Sequence, residues 1–453
     1  MYLKIRHITH RFLTVLAASF IVLACSDIDL DFTAYPDQEH DRETIIRVPS
    51  ENFRNIFIVY SMGYNNISRY LKEDIEELIE NTDLSNGRDR VIIFSHLCQR
   101  GIYNVPTSPI LTEVSNDIYG NVICDTLKIY PDSVIGADAE TVNDVLTYIK
   151  DEFPAESYGI LFSSHGTGWT PENYCIDPSD FDPDEKEDNI WGFSVRRNVL
   201  PKPAWVYPDS DDIPMVKGIG VHESPKKTYR EMEIQELADA IPMKMDYIIF
   251  DACFMGGIEV AYEFRDICDM MVASQTEIIA EGMDYVTMVS YLLNSEKPDL
   301  EGFCENYYTY YNTHSNTTYR SATISLIDCR KLEPLAESCR AIFSTCRDGI
   351  ASLEGSSLVQ PYYQKSYAYL HKWFHDLESI VTNCGASEEQ LGTFRNALEG
   401  CIIYKAATES FFNSEIKINT HSGLSMYLPY KNRTYLNDFY KTLEWNKATG
   451  LVQ

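Results

Sequence analysis

Two short segments constrain this chain more than any other part of it: Ser163-Ser164-His165-Gly166-Thr167-Gly168-Trp169 and Asp251-Ala252-Cys253-Phe254-Met255-Gly256-Gly257. Each follows a short run of β-branched and aromatic residues, Tyr158 to Phe162 (YGILF) and Tyr247 to Phe250 (YIIF), bounded by polar or glycine-rich turns. Such runs read as buried parallel strands. Both motifs then sit at strand C-termini, the edge of an open α/β sheet where ligands bind.

A His and a Cys delivered to one edge suit a cysteine nucleophile. A neighbouring imidazole favours the thiolate, which is the attacking species. Gly166 and Gly256-Gly257 leave the backbone uncrowded, so a substrate chain can approach and main-chain N–H groups can face a developing oxyanion. Taken singly, a buried free Cys is ordinary packing and a His-Gly at a strand end is often a turn. Their joint occurrence carries the reading.

On three segments the chain resembles the clostripain-like cysteine peptidases, of the caspase-type clan that also includes legumain and gingipain. These are FSSHGTGW, IIFDACFMGGIEVAYEF, and Val272 to Glu277 followed by Glu281 to Tyr285. A late run, Gly423 to Pro429, is similar to the family's C-terminal core strand, so the resemblance spans about residues 54 to 430. It implies a caspase-like α/β fold, a mostly parallel sheet flanked by helices, with an additional helical C-terminal portion. It also implies Cys253 as nucleophile, His165 as general base or thiolate partner, and the backbone N–H groups of Gly166 and Cys253 as the oxyanion hole. The family cleaves after Arg or Lys, which implies acidic substrate-binding residues, here Asp251 and Glu281. Met283 stands where the family has Trp, and Ile278-Ile279 where it has a Pro-Gly region, so the pocket wall differs.

A carboxylate can take an Arg in bidentate fashion, which fits a basic pocket. Asp251 has a second reading, as the cap of a helix over Gly256 to Phe264.

The N-terminus predicts export. Lys4, Arg6 and Arg11 precede the apolar stretch Phe12 to Ala24, too short to span a bilayer and suited to a signal peptide. Val22-Leu23-Ala24-Cys25 is similar to a bacterial lipobox, predicting lipidation of Cys25 and membrane attachment through that anchor only, at the periplasmic face or cell surface. An ordinary signal peptide is the alternative. The expected organisation is a leader over 1–24, a polar tether over 25–50, a peptidase domain over 51–430 with an irregular insertion over 171–230, and a tail over 431–453.

Net charge is -30; the leader holds three of the 38 basic residues and no acid, leaving 35 against 68. This balance argues against nucleic acid as a partner and agrees with cationic peptide or protein substrates, although an acidic surface also serves solubility. With Cys25 and Cys253 assigned, ten of the 12 cysteines remain, an even number that permits disulfides. No CxxC pair occurs, so no zinc cluster is expected.

Asn55 to Tyr60 and Val91 to Leu97 read as strands, Leu71 to Ile79 and Val142 to Phe153 as helices, and Asp125 to Tyr130 as a hairpin partner of Val122-Ile123. Such alternation predicts a layered, mostly parallel sheet. Within the insertion, Arg196-Arg197 and Lys226-Lys227 are candidate self-cleavage sites or simply solvated charges. Asp180, Asp182 and Asp184 match calcium-loop positions one, three and five, but Glu185 replaces the required Gly and Trp191 the bidentate Glu, so no cofactor or metal is assigned and calcium dependence has no clear site. His371 and His375 stand four apart on an expected helix without the Glu of a zinc signature, and Tyr307-Tyr308-Tyr310-Tyr311 reads as packing.

The expected protein is therefore a cysteine endopeptidase acting through a Cys-His dyad. A catalytically silent lipoprotein that keeps the fold to bind peptides or partner proteins is the alternative, as is a peptidase preferring an uncharged residue before the bond.

Overall fold

A computed structural model describes residues 53–84, 86–98, 106–175, 181–182, 231–362, 373–411 and 416–453. Cys25, His371, Arg196-Arg197 and Lys226-Lys227 lie outside the described residues. The strands are β1 (Phe53–Gly63), β2 (Asp89–Leu97), β3 (Ile110–Asn116), β4 (Val122–Ile129), β5 (Ala155–Ser163), β6 (Met245–Asp251), β7 (Cys268–Ala273), β8 (Thr323–Asp328), β9 (His375–Asp376), β10 (Ile402–Ala407), β11 (Ser410–Phe411), β12 (Ile416–Lys417) and β13 (Ser425–Met426). The helices are α1 (Ser68–Glu80), α2 (Ala139–Glu152), α3 (Ile234–Ala240), α4 (Ile258–Glu263), α5 (Met288–Leu292), α6 (Leu300–Asn312), α7 (Glu333–Thr345), α8 (Arg347–Ala351), α9 (Leu377–Asn383), α10 (Glu388–Cys401), α11 (Thr434–Tyr440) and α12 (Glu444–Thr449).

One nine-stranded sheet runs in the order β10-β8-β7-β6-β5-β1-β2-β3-β4. Its centre, β2-β1-β5-β6-β7, is parallel. Both edges are antiparallel. The central strands are almost wholly buried, as expected where helices cover both faces. The caspase-like architecture is thus present, with more antiparallel edge than a mostly parallel sheet suggests.

Helix α2 shows why local sequence works here. Asp138 accepts from the Glu140 N–H as N-cap, and Val142, Val145, Leu146 and Ile149 form a fully buried stripe at helical spacing. Burying such side chains contributes roughly 1.5–3 kcal/mol each.

Several local expectations need correction. Asp125 to Tyr130 does not pair with Val122-Ile123; Val122-Ile123 and Asp125 to Ile129 lie on one strand, β4, which hairpins onto β3 through a turn at Asp117 to Asn121. The Gly423 to Pro429 run supplies only β13, which pairs with β9 outside the main sheet. The sheet edge there is β10, antiparallel to β8. His375 lies in β9 and not on a helix; burial lowers its pKa to about 3.

Residues 431–453, set apart as a tail, hold α11 and α12. Asp182, from the insertion, accepts the Tyr435 and Leu436 N–H groups at 2.8 and 3.4 Å and the Tyr174 hydroxyl at 2.9 Å. The carboxylate that matched calcium-loop position three therefore caps the start of α11. No group of three or more His, Cys, Asp or Glu among the described residues could hold a metal ion. No disulfide joins two cysteines among the described residues, and no described helix is long and apolar enough to cross a membrane.

Candidate active site

The register of β5 and β6 sets the geometry. Ser163 lies directly opposite Asp251 in the parallel ladder. Two residues further along each chain come His165 and Cys253, which the ladder thus delivers to the same height of the sheet edge. The two loops touch: a Cβ on Gly166 would lie 2.5 Å from the Cys253 carbonyl oxygen and 3.0 Å from its nitrogen. Glycine is the residue this approach admits.

His165 is 8% exposed, and its Nε2 lies 2.7 Å from Asn66 Oδ1, in the turn between β1 and α1. With Oδ1 as acceptor, Nε2 carries the proton and Nδ1 is the basic nitrogen. Such an orienting partner fixes the tautomer, much as a third group does in nucleophile–base pairs.

Cys253 is fully buried. Its Sγ accepts the Ile278 N–H at 3.0 Å, and Ile278 and Ile279 are themselves buried. The next residue, Phe254, has φ of 61°, a left-handed conformation that costs a non-glycine residue roughly 1–3 kcal/mol. Surrounding contacts hold it there: its N–H donates to Thr276 O at 3.0 Å, and its ring stacks on Phe374 at 4.6 Å. Gly168, on the His loop, packs against the same Phe374 ring and the Phe254 carbonyl. Gly256 is tied to Ser274 and Ser425, and Gln275 Nε2 bridges Gly256 O and Gly423 O at 3.3 and 2.9 Å.

Asp251 is fully buried and accepts the Tyr285 hydroxyl at 2.7 Å and the Ser163 hydroxyl at 3.2 Å. It does not cap a helix, because α4 begins later, with Gly257 as its N-cap. Burial, then the Asp251 charge, raise the Tyr285 and Tyr307 phenols well above their ordinary range, and Cys253 adds to this at Tyr307. Glu281 is half-buried on the loop between β7 and α5, where Tyr311 donates to the adjacent Gly282 carbonyl at 2.7 Å. Burial, then Tyr307 and then the Glu281 charge, raise Tyr311. The tyrosine run of α6 thus backs this half of the site, with Tyr307 and Tyr311 buried.

Strand alternation divides the edge. Ser163 and Asp251 face α6, whereas Phe162 and Phe250 line a crevice on the opposite face, beside His165, Gly166 and Ala252. Asn66, Tyr285, Phe374 and the Ile278 backbone were not found by sequence reasoning. Only the departure at Ile278-Ile279 flagged that wall, and a lone Asn after a strand carries no signal.

The model of the clostripain family matches residues 59–190 and 203–450. The fold is similar to an inactive zymogen C11 protease from Parabacteroides distasonis, at 26% identity and TM-score 0.67, covering 89% of this chain and 99% of that one. It is also similar to a secreted C11 cysteine protease from Bacteroides thetaiotaomicron, "iotapain", at 26% identity and TM-score 0.65, covering 89% and 100%. A secreted C11 cysteine protease from the same organism, in complex with an irreversible peptide inhibitor, shares the fold at 22% identity and TM-score 0.64, covering 88% and 99%. No curated protein matches the chain.

Proposed function

The chain belongs to the clostripain family and is a cysteine-type peptidase; on that premise we propose that it is an exported endopeptidase working through Cys253 and His165, with a preference for Arg or Lys before the scissile bond. The observation that carries this reading is the β5–β6 register, which delivers imidazole and thiol to one height of one edge.

In the proposed reaction, His165 takes the thiol proton and Cys253 Sγ attacks the scissile carbonyl. The backbone N–H groups of Gly166 and Cys253 hold the oxyanion, the C–N bond breaks as His165 returns the proton to the leaving amine, and water then hydrolyses the thioester. Asp251 and Glu281 form the pocket for the basic side chain. Asp251 is supported in this role by its full burial beside Cys253, and Glu281 by its place on the same face.

The Ile278 N–H bond to Sγ marks a resting form, and attack requires the Ile278 segment to withdraw. Self-cleavage at Arg196-Arg197 or Lys226-Lys227 is the proposed trigger. Export is supported by the secreted relative, and membrane attachment through lipid on Cys25 is proposed from the lipobox alone.

The test compares the full chain with Cys253→Ala on fluorogenic peptides ending in Arg, Lys or a neutral residue. Cleavage after Arg or Lys, lost in the variant, is expected. Equal cleavage after neutral residues would remove the basic preference, and activity surviving in Cys253→Ala would remove the nucleophile. Cys25→Ser should shift the protein from the membrane to the soluble fraction.

A further inference from the structure

We propose that the crevice beside His165 receives the residue that follows the scissile bond, and that Glu231 selects a basic side chain there. This rests on the Cys253–His165 reading above and extends it to the leaving half of the substrate.

The first support is the division of the sheet edge. Asp251, Cys253 and Glu281 stand on the α6 face. The crevice lies on the other face, and neither Asp251 nor Cys253 lines it, whereas His165 and Gly166 do. In thiol peptide hydrolysis the imidazole protonates the leaving amine, so the departing peptide begins at His165. With the acyl half anchored on the α6 face, the first departing side chain has the crevice beside it.

The second support is what the crevice offers. Met62, Phe162, Phe250 and Met232 give it an apolar wall, and Glu231 an acidic end. Glu231 is 9% exposed. One of its oxygens accepts the Asn173 N–H at 2.8 Å, while the other, Oε1, is buried and has no hydrogen-bond partner among the described residues. No described Lys or Arg forms an ion pair with it. Burial pushes the carboxyl up to about 8.

A buried acceptor left unanswered is unfavourable, and native proteins leave few. An incoming ammonium or guanidinium would satisfy Oε1 and restore the ionised carboxylate, while the aliphatic stem lies along the methionine and phenylalanine wall. A neutral residue would enter the same wall and leave Oε1 unpaired, which is the discrimination a buried polar group provides. The chain's own Arg196-Arg197 and Lys226-Lys227 pairs present a basic residue on both sides of one bond.

The test uses internally quenched peptides with a common acyl half ending in Arg and with Lys, Arg, Gln or Leu after the bond. The wild type is expected to favour Lys and Arg over Gln about tenfold in kcat/KM. In Glu231→Gln that ratio should fall to within about twofold. Because the ratio is taken within one protein, partial loss of folded material cancels. A second measurement needs no variant: Lys-Ala-Ala-amide should inhibit the wild type at lower concentration than Gln-Ala-Ala-amide.

A wild type without preference, a preference that survives in Glu231→Gln, or equal inhibition by the two amides would overturn the assignment. An arginyl aminocoumarin, which has no residue after the bond, separates the two readings. If it is cleaved in a Cys253-dependent manner while the peptides show no preference, only the crevice assignment falls. If the wild type cleaves neither, the Cys253–His165 reading falls and takes this one with it.

Discussion

The loop that carries Cys253 and the loop that carries His165 leave neighbouring strands at the same height, yet the first is sealed and the second is open. Cys253 has no exposure, its thiol lies under the Ile278 N–H, and its loop is clamped through Phe254, Gly256 and Gln275. His165 keeps a little exposure, is oriented by Asn66, and borders a crevice. The difference teaches where control resides. The proposed base borders open space, while the proposed nucleophile is covered by one short segment of the β7–α5 loop.

The two loops share a buttress. Trp169, at the end of the His loop, packs against Tyr427 and Tyr440 at centroid separations of 4.8 and 4.9 Å. Glu259, in the helix that follows the Cys loop, accepts the Tyr427 N–H at 2.8 Å and the Tyr440 hydroxyl at 2.7 Å. Residues far along the chain thereby hold both motifs from behind.

The comparison can be broken most severely at the open loop. His165→Ala should lower kcat/KM by roughly a thousandfold or more, as removal of a base from a nucleophile pair does; a variant within tenfold of wild type would show that the imidazole is a bystander. On the sealed side, Asp251→Asn should cut cleavage after Arg by about 10- to 100-fold through loss of a charge-assisted contact. Its effect on a neutral substrate should be smaller, and equal losses on both would make Asp251 a scaffold residue.

The seal itself is open to a chemical test. Iodoacetamide, followed by peptide mass mapping, should label the exposed Cys124 at least about tenfold faster than the buried Cys253 in freshly purified protein. Faster labelling of Cys253 would mean that the Ile278 segment is not a cover in solution.

The smallest effect concerns the buttress. Burial pushes the Glu259 carboxyl up from 4.5 to about 7. In that interval the folded protein holds a proton that the unfolded chain has released, so stability is greatest below about 4.5 and falls as pH rises through 7. The loss is on the order of 3 kcal/mol. Glu259→Gln should flatten Tm between these pH values, and a Tm profile identical to wild type would remove Glu259 from the account.

Much of the site was legible because its signals are local. A His or Cys placed three residues beyond a β-branched run needs only strand periodicity to be located at a sheet edge, and the Gly at 166 marks a close backbone approach. The central strands and α2 were legible for the same reason, since burial on both faces or along one helical stripe is written into consecutive residues. The edges were not. Whether β10 or the Gly423 run closes the sheet depends on which segment β8 meets, and both are short and apolar. Asn66, Phe374 and Glu231 carry no local signal, because their meaning comes from partners about a hundred residues away along the chain or from an unanswered oxygen.

The amino-acid sequence by itself determined the α/β framework and the delivery of a thiol and an imidazole to one edge of the sheet, with Asp251 two residues before the thiol. These follow from side-chain type and from periods of two and 3.6 residues, which neighbours in the chain enforce. Only the tertiary structure decided that the thiol is covered, that Phe254 is held left-handed against Phe374, and that Asp251 and Glu231 stand on opposite faces of one edge. Register, face and burial arise when distant segments meet, and no local pattern encodes which of them will.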